Sequence, residues 1–112
     1  MSIETPSQEL ILLNLPVDAG QIDKELKKLN GSLGTSPACD VIIDFSTVEI
    51  ITSSSISNLL ILRGLLYENG HRLILCNLKI PTKCIFSVAG LGDVFEFSAD
   101  RAEALAAIHA PD

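Results

Sequence analysis

Short aliphatic runs that alternate with stretches of helical periodicity constrain this chain more than any other feature. Glu9-Leu-Ile-Leu-Leu-Asn-Leu15 is an apolar run stopped by Pro16. Val41-Ile-Ile-Asp-Phe45 is dominated by β-branched residues, and His71-Arg-Leu-Ile-Leu-Cys-Asn77 is again strand-like. Runs of this length and composition, bounded by turn residues, predict buried strands. Ile3 and Glu4, set off by Pro6-Ser7-Gln8, are expected to add a short partner strand in a hairpin, and Val94-Phe-Glu-Phe97 alternates as a further short strand.

Between these runs the period changes. From Asp18 to Leu29, Ile22, Leu26 and Leu29 share one face while Asp23, Lys24, Glu25, Lys27 and Lys28 occupy the other, which predicts an amphipathic surface helix closed by Asn30-Gly31. The stretch Gly34-Thr-Ser-Pro37 reads as a loop. A long helical run follows Thr52-Ser-Ser-Ser55 and ends at Glu68-Asn69-Gly70. Pro81 to Ala89 is a short helix stopped by Gly90, and Ser98, with Asp100 in the first turn, is expected to cap an Ala-rich helix through Ala110. Strand and helix alternating in this way predict an α/β fold with parallel strands joined by right-handed crossovers, four or five strands covered by about four helices. At 112 residues, with no repeat and no linker long enough to divide it, the chain is expected to form one domain over residues 1–112.

Composition narrows the function. A net charge of −6 and a pI near 4.7 leave no broad cationic footprint for phosphate contacts, so no direct nucleic-acid partner is expected. Cys39, Cys76 and Cys84 are an odd count with no C-x-x-C pair, which fits buried thiols in a reducing compartment better than a disulfide framework. Met1-Ser-Ile-Glu-Thr-Pro-Ser7 lacks the cationic start and apolar core of a secretory signal, and no apolar stretch reaches the ~20 residues of a membrane span. A cytoplasmic location is the expectation. With no Trp and one Tyr, the chain is also poorly equipped to line a pocket for a flat cofactor, and no cofactor is expected.

The unusual local feature is Thr52-Ser53-Ser54-Ser55, with Ser57 beyond it, at a strand-to-helix junction. Capping a helix needs one hydroxyl or two; four exceed that need. They sit where the backbone N–H groups of a helix start also welcome a phosphate, and a phosphoserine would add about −1.5 to −2 of charge there. Along the helix, Ile56, Leu59, Leu60, Leu66 and Tyr67 project as one stripe toward the sheet. Ile61 and Leu65 fall on the opposite side with Ser54 and Asn58, either as part of a helix buried nearly all round or as an exposed apolar patch for a protein partner or a second copy. Arg63 projects to the edge of the core stripe, and the sequence supplies no function for it.

Val41-Ile-Ile-Asp-Phe-Ser46, Ser53-Ser54 opening a long helix, Asn69-Gly70 before Leu73-Ile-Leu-Cys-Asn-Leu78, and Ala89-Gly-Leu-Gly-Asp-Val-Phe-Glu-Phe97 resemble successive landmarks of the STAS domain, in the branch of bacterial anti-sigma factor antagonists. The resemblance runs over essentially the whole chain. It implies a mixed, mostly parallel sheet whose first hairpin is antiparallel. It also implies a signal-transduction role in transcription regulation: the domain binds an anti-sigma factor that is also a serine kinase, frees a sigma factor, and lets go when phosphorylated. Carried onto this chain, the phosphoserine of the family's Asp-Ser-Ser-Gly motif falls on Ser53. Thr52 stands at the motif's Asp position, and Ser55 and Ser57 stand where the family has glycines. These departures leave Thr52, Ser54 and Ser55 as alternate acceptors, or a STAS scaffold subunit of a larger signalling or lipid-transport complex that needs no phosphate. The partner-binding surface implied is Asp44, Thr52, Ser53, Ser54, Ser55, Ser57, Asn58, Ile61 and Leu65.

No enzymatic constellation competes with this reading. G-x-S-x-G is absent, Gly90-Leu-Gly92 lacks the third glycine of a dinucleotide fingerprint, and His71 and His109 show no metal-ligand spacing with a cysteine.

Overall fold

The structure, a computed structural model, describes residues 2–7, 10–35 and 37–109. Its elements run β1 (Ser2–Ser7), β2 (Leu10–Asn14), α1 (Ala19–Leu33), β3 (Asp40–Asp44), α2 (Ser53–Glu68), β4 (Leu73–Cys76), α3 (Ile80–Val88), β5 (Glu96–Ser98) and α4 (Arg101–His109). The strands form one sheet in sequence order, with β1 antiparallel to β2 and β2 to β5 all parallel.

That order decides where the helices go. Right-handed crossovers between strands added always at the same edge place every crossover helix on the same face of the sheet. Accordingly, Ile22, Leu26 and Leu29 of α1, Leu59, Leu62 and Leu66 of α2 and Phe86 of α3 share one core with Leu13, Val41, Ile43, Leu73 and Leu75. The alternate strand residues Leu10, Leu12, Ile42, Ile74 and Cys76 point to the other face, where Ala104, Leu105 and Ile108 of α4 cover them. Because α4 follows the last strand and closes no crossover, it is free to take that second face. The four phenylalanines gather where α3 meets the sheet, with Phe86 edge-on to Phe45, Phe95 and Phe97.

Several boundaries differ from the sequence expectation. β1 extends through Pro6 and Ser7, with a register shift between Glu4 and Ser7, so those two residues are strand and not turn; Gln8, Glu9, Ser36 and Ala110, which the expected turn, strand, loop and final helix included, lie outside the described residues. α1 passes through Asn30-Gly31 and stops at Gly34, whose φ of 67° suits glycine. Leu33 continues the stripe of Leu26 and Leu29 against the core, and this outweighs the cost of about 1 kcal/mol for a glycine inside a helix. Ser98 ends β5 instead of capping α4; Asp100 takes the cap, its Oδ1 accepting from the Glu103 N–H at 2.8 Å. Arg63 acquires a structural role. Its Nε donates to the Val94 carbonyl at 2.6 Å and its guanidinium lies 4.3 Å from the Tyr67 ring centre, tying α2 to the segment that enters β5.

Candidate functional site

The serine run sits at the carboxyl end of β3, on the edge of the sheet where the loops after β2, β3 and β4 all emerge because those strands are parallel. Three contacts draw these loops together. Thr47 Oγ1 donates to the Leu15 carbonyl at 2.7 Å, the Phe45 N–H donates to the Cys76 carbonyl at 2.9 Å, and Lys79 Nζ pairs with Glu49 at 2.6 Å.

Within the run each hydroxyl has a different fate. Thr52 is the N-cap of α2, with extended backbone; its Oγ1 accepts from the Ser55 N–H at 3.1 Å and donates to Ser55 Oγ at 3.2 Å. Ser55 is fully buried beneath that cap. Ser54 is exposed but donates to Asp23 Oδ1 of α1 at 2.9 Å, and Asn58 Nδ2, one turn on, donates to the same oxygen at 2.7 Å. Asp23 also pairs with Lys27. The Ser54 hydrogen bond, ahead of burial's opposing push, holds its carboxyl below the ordinary value. Ser53 is exposed and its hydroxyl makes no hydrogen bond to another described residue; Ser57, one turn further, is exposed in the same way.

The expected site residues therefore separate into two groups. Ser53, Ser54, Ser57 and Ile61 stand on the surface, with Thr52 and Leu65 half-buried. Ser55, Asn58 and Asp44 are buried, so none of the three presents its side chain openly at a surface. Asp44 is instead the centre of a bracket. Its Oδ1 accepts from the Ser46 N–H at 2.8 Å and from Asn77 Nδ2 at 3.2 Å, and its Oδ2 pairs with Arg101 of α4 at 2.5 Å. Asn77 adopts φ 58°, a left-handed conformation that asparagine tolerates, and thereby turns its amide toward Asp44. The α2 stripe is also rotated from the expected one. Leu60 and Tyr67, expected against the sheet, are partly exposed, while Asn58 faces α1 and its carbonyl accepts from Asn30 Nδ2.

Sequence reading missed three residues on this edge. Val17, Ile50 and Ile80 are 61%, 64% and 77% exposed and lie on the loops or helix start that follow β2, β3 and β4. All three are aliphatic side chains left in water on connections at the same end of the sheet as the serine run. Nothing in the sequence marks them as sharing one end of the sheet, which follows only from the parallel pairing of three strands. The sheet order never reverses, so there is no topological switch point of the kind that opens a ligand crevice in other α/β folds. Among the described residues no three metal-ligating side chains converge, and no helix is long and apolar enough to cross a membrane.

The sequence matches the family described as STAS domain over residues 3–104. No curated protein matches the chain by sequence. Among solved structures, an anti-sigma-factor antagonist (STAS) domain protein from Planctomyces limnophilus superposes with a TM-score of 0.83 at 17% identity, covering 97% of each chain. The anti-sigma factor antagonist SpoIIAA in its unphosphorylated form superposes with a TM-score of 0.80 at 18% identity, covering 99% of this chain and 97% of that one. A sulfate transporter family protein from Wolinella succinogenes reaches 0.74 at 15% identity, covering 94% of this chain and 88% of that one.

Proposed function

The chain belongs to the STAS-domain family, and from that premise we propose that it is a cytoplasmic, non-enzymatic regulator resembling an anti-sigma factor antagonist. It binds an anti-sigma factor that is also a serine kinase, frees a sigma factor, and is switched by phosphorylation at Ser53. The docking surface is the sheet edge around Ser53, extended by Val17, Ile50 and Ile80.

The observation that carries this reading is the division of labour among the hydroxyls. With Ser55 buried and Ser54 donating to Asp23, Ser53 is the first-turn serine left open to a kinase. In the transfer, Ser53 Oγ takes the γ-phosphoryl group of ATP, loses its proton and leaves ADP. The product dianion is favoured locally by the N-terminus of α2. It also sets about two negative charges among aliphatic contact residues of a chain already at −6. Docking would then strip water from a dianion against apolar side chains, which costs far more than docking a hydroxyl. The phosphate thus acts by preventing contact.

The test is to incubate the protein with its cognate kinase and ATP and map the phosphate by mass spectrometry. A single phosphate on Ser53 is expected, together with at least a tenfold loss of partner affinity for Ser53→Asp, about 1.4 kcal/mol. No phosphate within Thr52 to Ser55, or unchanged affinity, would sink the switch. The second reading, a constitutive scaffold subunit, is favoured by Thr52, Ser55 and Ser57 at the positions of the family's Asp and glycines. The likeness to the sulfate transporter family protein fits it too. It predicts equal partner affinity for Ser53→Ala and Ser53→Asp.

A further inference from the structure

Of the two exposed serines in the first turn of α2, only Ser54 is hydrogen-bonded to a carboxylate, donating to Asp23 Oδ1 across the seam with α1 at 2.9 Å. That carboxylate is held from both sides. Asn58 Nδ2, on a buried residue, donates to the same Oδ1 at 2.7 Å, and Lys27 Nζ lies 3.3 Å from Oδ2. Asn58 is anchored in turn: its Nδ2 also donates to the Ser54 carbonyl at 3.1 Å, and its own carbonyl accepts from Asn30 Nδ2. Taking the proton from Ser54 therefore does not free Asp23 to turn away. Ser53 has no such neighbour, and Glu49, the carboxylate closest to it along the chain, is paired with Lys79 at 2.6 Å.

We propose that Asp23 is a specificity-determining residue that bars a phosphoryl group from Ser54 and so restricts the acceptor in this turn to Ser53. This assignment rests on Ser53 being the phosphorylation site and adds the group that makes the choice. Transfer to Ser54 would form the Oγ–P bond, break the β–γ anhydride bond of ATP, release ADP and send the hydroxyl proton to solvent. The hydrogen bond to Asp23 goes with that proton, and about −1.5 to −2 of charge comes to stand against a fixed carboxylate. Like charges at this range repel, the more so where water is partly excluded. The N-terminus of α2 favours an anion at either serine, so Asp23 is what separates them.

Phosphoserine placed genetically at position 53 or 54 of the full chain, with and without Asp23→Asn, tests this in the absence of a kinase. The amide keeps an acceptor oxygen for Ser54 and Asn58, so a merely structural tie between α1 and α2 survives the substitution. Phosphate at Ser54 is expected to lower Tm by about 6 °C or more, and Asp23→Asn to recover at least half of that loss. Phosphate at Ser53 is expected to shift Tm by less than about 3 °C in either background. A loss at Ser54 no larger than at Ser53, an equal loss at Ser54 with and without Asp23→Asn, or failure to fold in both backgrounds overturns the proposal. Where the cognate kinase and ATP modify Ser53 of the wild-type chain, Ser53→Ala is expected to leave Ser54 nearly untouched, and adding Asp23→Asn to raise its phosphorylation at least about tenfold. Ser54 phosphorylation that stays as low, or that falls because Asp23 had served as an activating base, overturns it too. A wild-type chain that takes no phosphate counts against the switch at Ser53 alone, and the Tm comparison then decides the role of Asp23.

Discussion

Thr52 holds the first turn of α2 through two hydrogen bonds to one residue, and the consequences of removing it can be set against those of its neighbour. Thr52→Ala deletes the cap on the Ser55 N–H and strands the buried Ser55 hydroxyl without its donor. The expected loss is about 1–2 kcal/mol, which for a domain of this size lowers Tm by roughly 4–8 °C per kcal/mol. Ser53→Ala removes an exposed hydroxyl with no described partner and is expected to change stability by less than about 0.5 kcal/mol. Urea denaturation of the two variants separates a structural hydroxyl from a functional one. If both cost the same, the division of roles at the helix start is wrong. That four hydroxyls stood at this junction was plain from the chain, as was the resemblance that placed the phosphoserine on Ser53. Which one is buried depends on how α2 seats against the sheet, and which one is tied depends on Asp23, 31 residues away.

At the scale of the element, α2 is the instructive case. Its apolar residues are spread too widely around the axis to define one face, and periodicity alone selected a stripe that includes Leu60 and Tyr67. Two surfaces receive the helix. The sheet takes Leu59, Leu62 and Leu66, and α1 with the turn after it takes the side bearing Ser54, Asn58 and Asn69, through polar contacts with Asp23 and Asn30 of the helix and the Thr35 carbonyl of the turn. A polar residue is therefore buried on the side opposite the expected stripe, because a hydrogen-bonding partner on α1 meets it there. Leu62→Ala is expected to cost about 2–5 kcal/mol and Ile61→Ala under about 0.5 kcal/mol, read as shifts in the denaturation midpoint. α1, by contrast, was legible through Ile22, Leu26 and Leu29, since it meets the core with one stripe and solvent with the other. Its end was misplaced because Asn30-Gly31 carries a strong stop signal that the packing of Leu33 overrides.

Across the whole molecule, two carboxylates bind distant segments. Asp44 links β3, β4 and α4, while Glu96 of β5 accepts from Arg72 and from Tyr67 of α2. Burial pushes the Asp44 carboxyl up, but hydrogen bonds from Arg101, Ser46 and Asn77 outweigh it and hold it below its ordinary value. Arg72, first among its causes, does the same for Glu96. Depressed folded values mean that the unfolded chain takes up protons first as the pH falls. The stabilisation is complete above the ordinary carboxylate range, about pH 4–5, and is lost as the pH drops through the folded values. Denaturation at about pH 7 and about pH 3 should show this fall, and Arg101→Met should make the pH dependence shallower. A stability that rises on acidification would contradict the assignment.

The sequence by itself determined the alternation of strands and helices, the α/β class with its antiparallel first hairpin and parallel remainder, and the family, because short-range patterning and landmark order are properties of the chain. Tertiary structure alone decided that α4 crosses to the second face of the sheet, that Asp44 is a bracket and not an open contact, and that Val17, Ile50 and Ile80 share an edge with Ser53. Each of these depends on residues far apart in sequence meeting through strand order, and no local period encodes which distant surface a side chain will find.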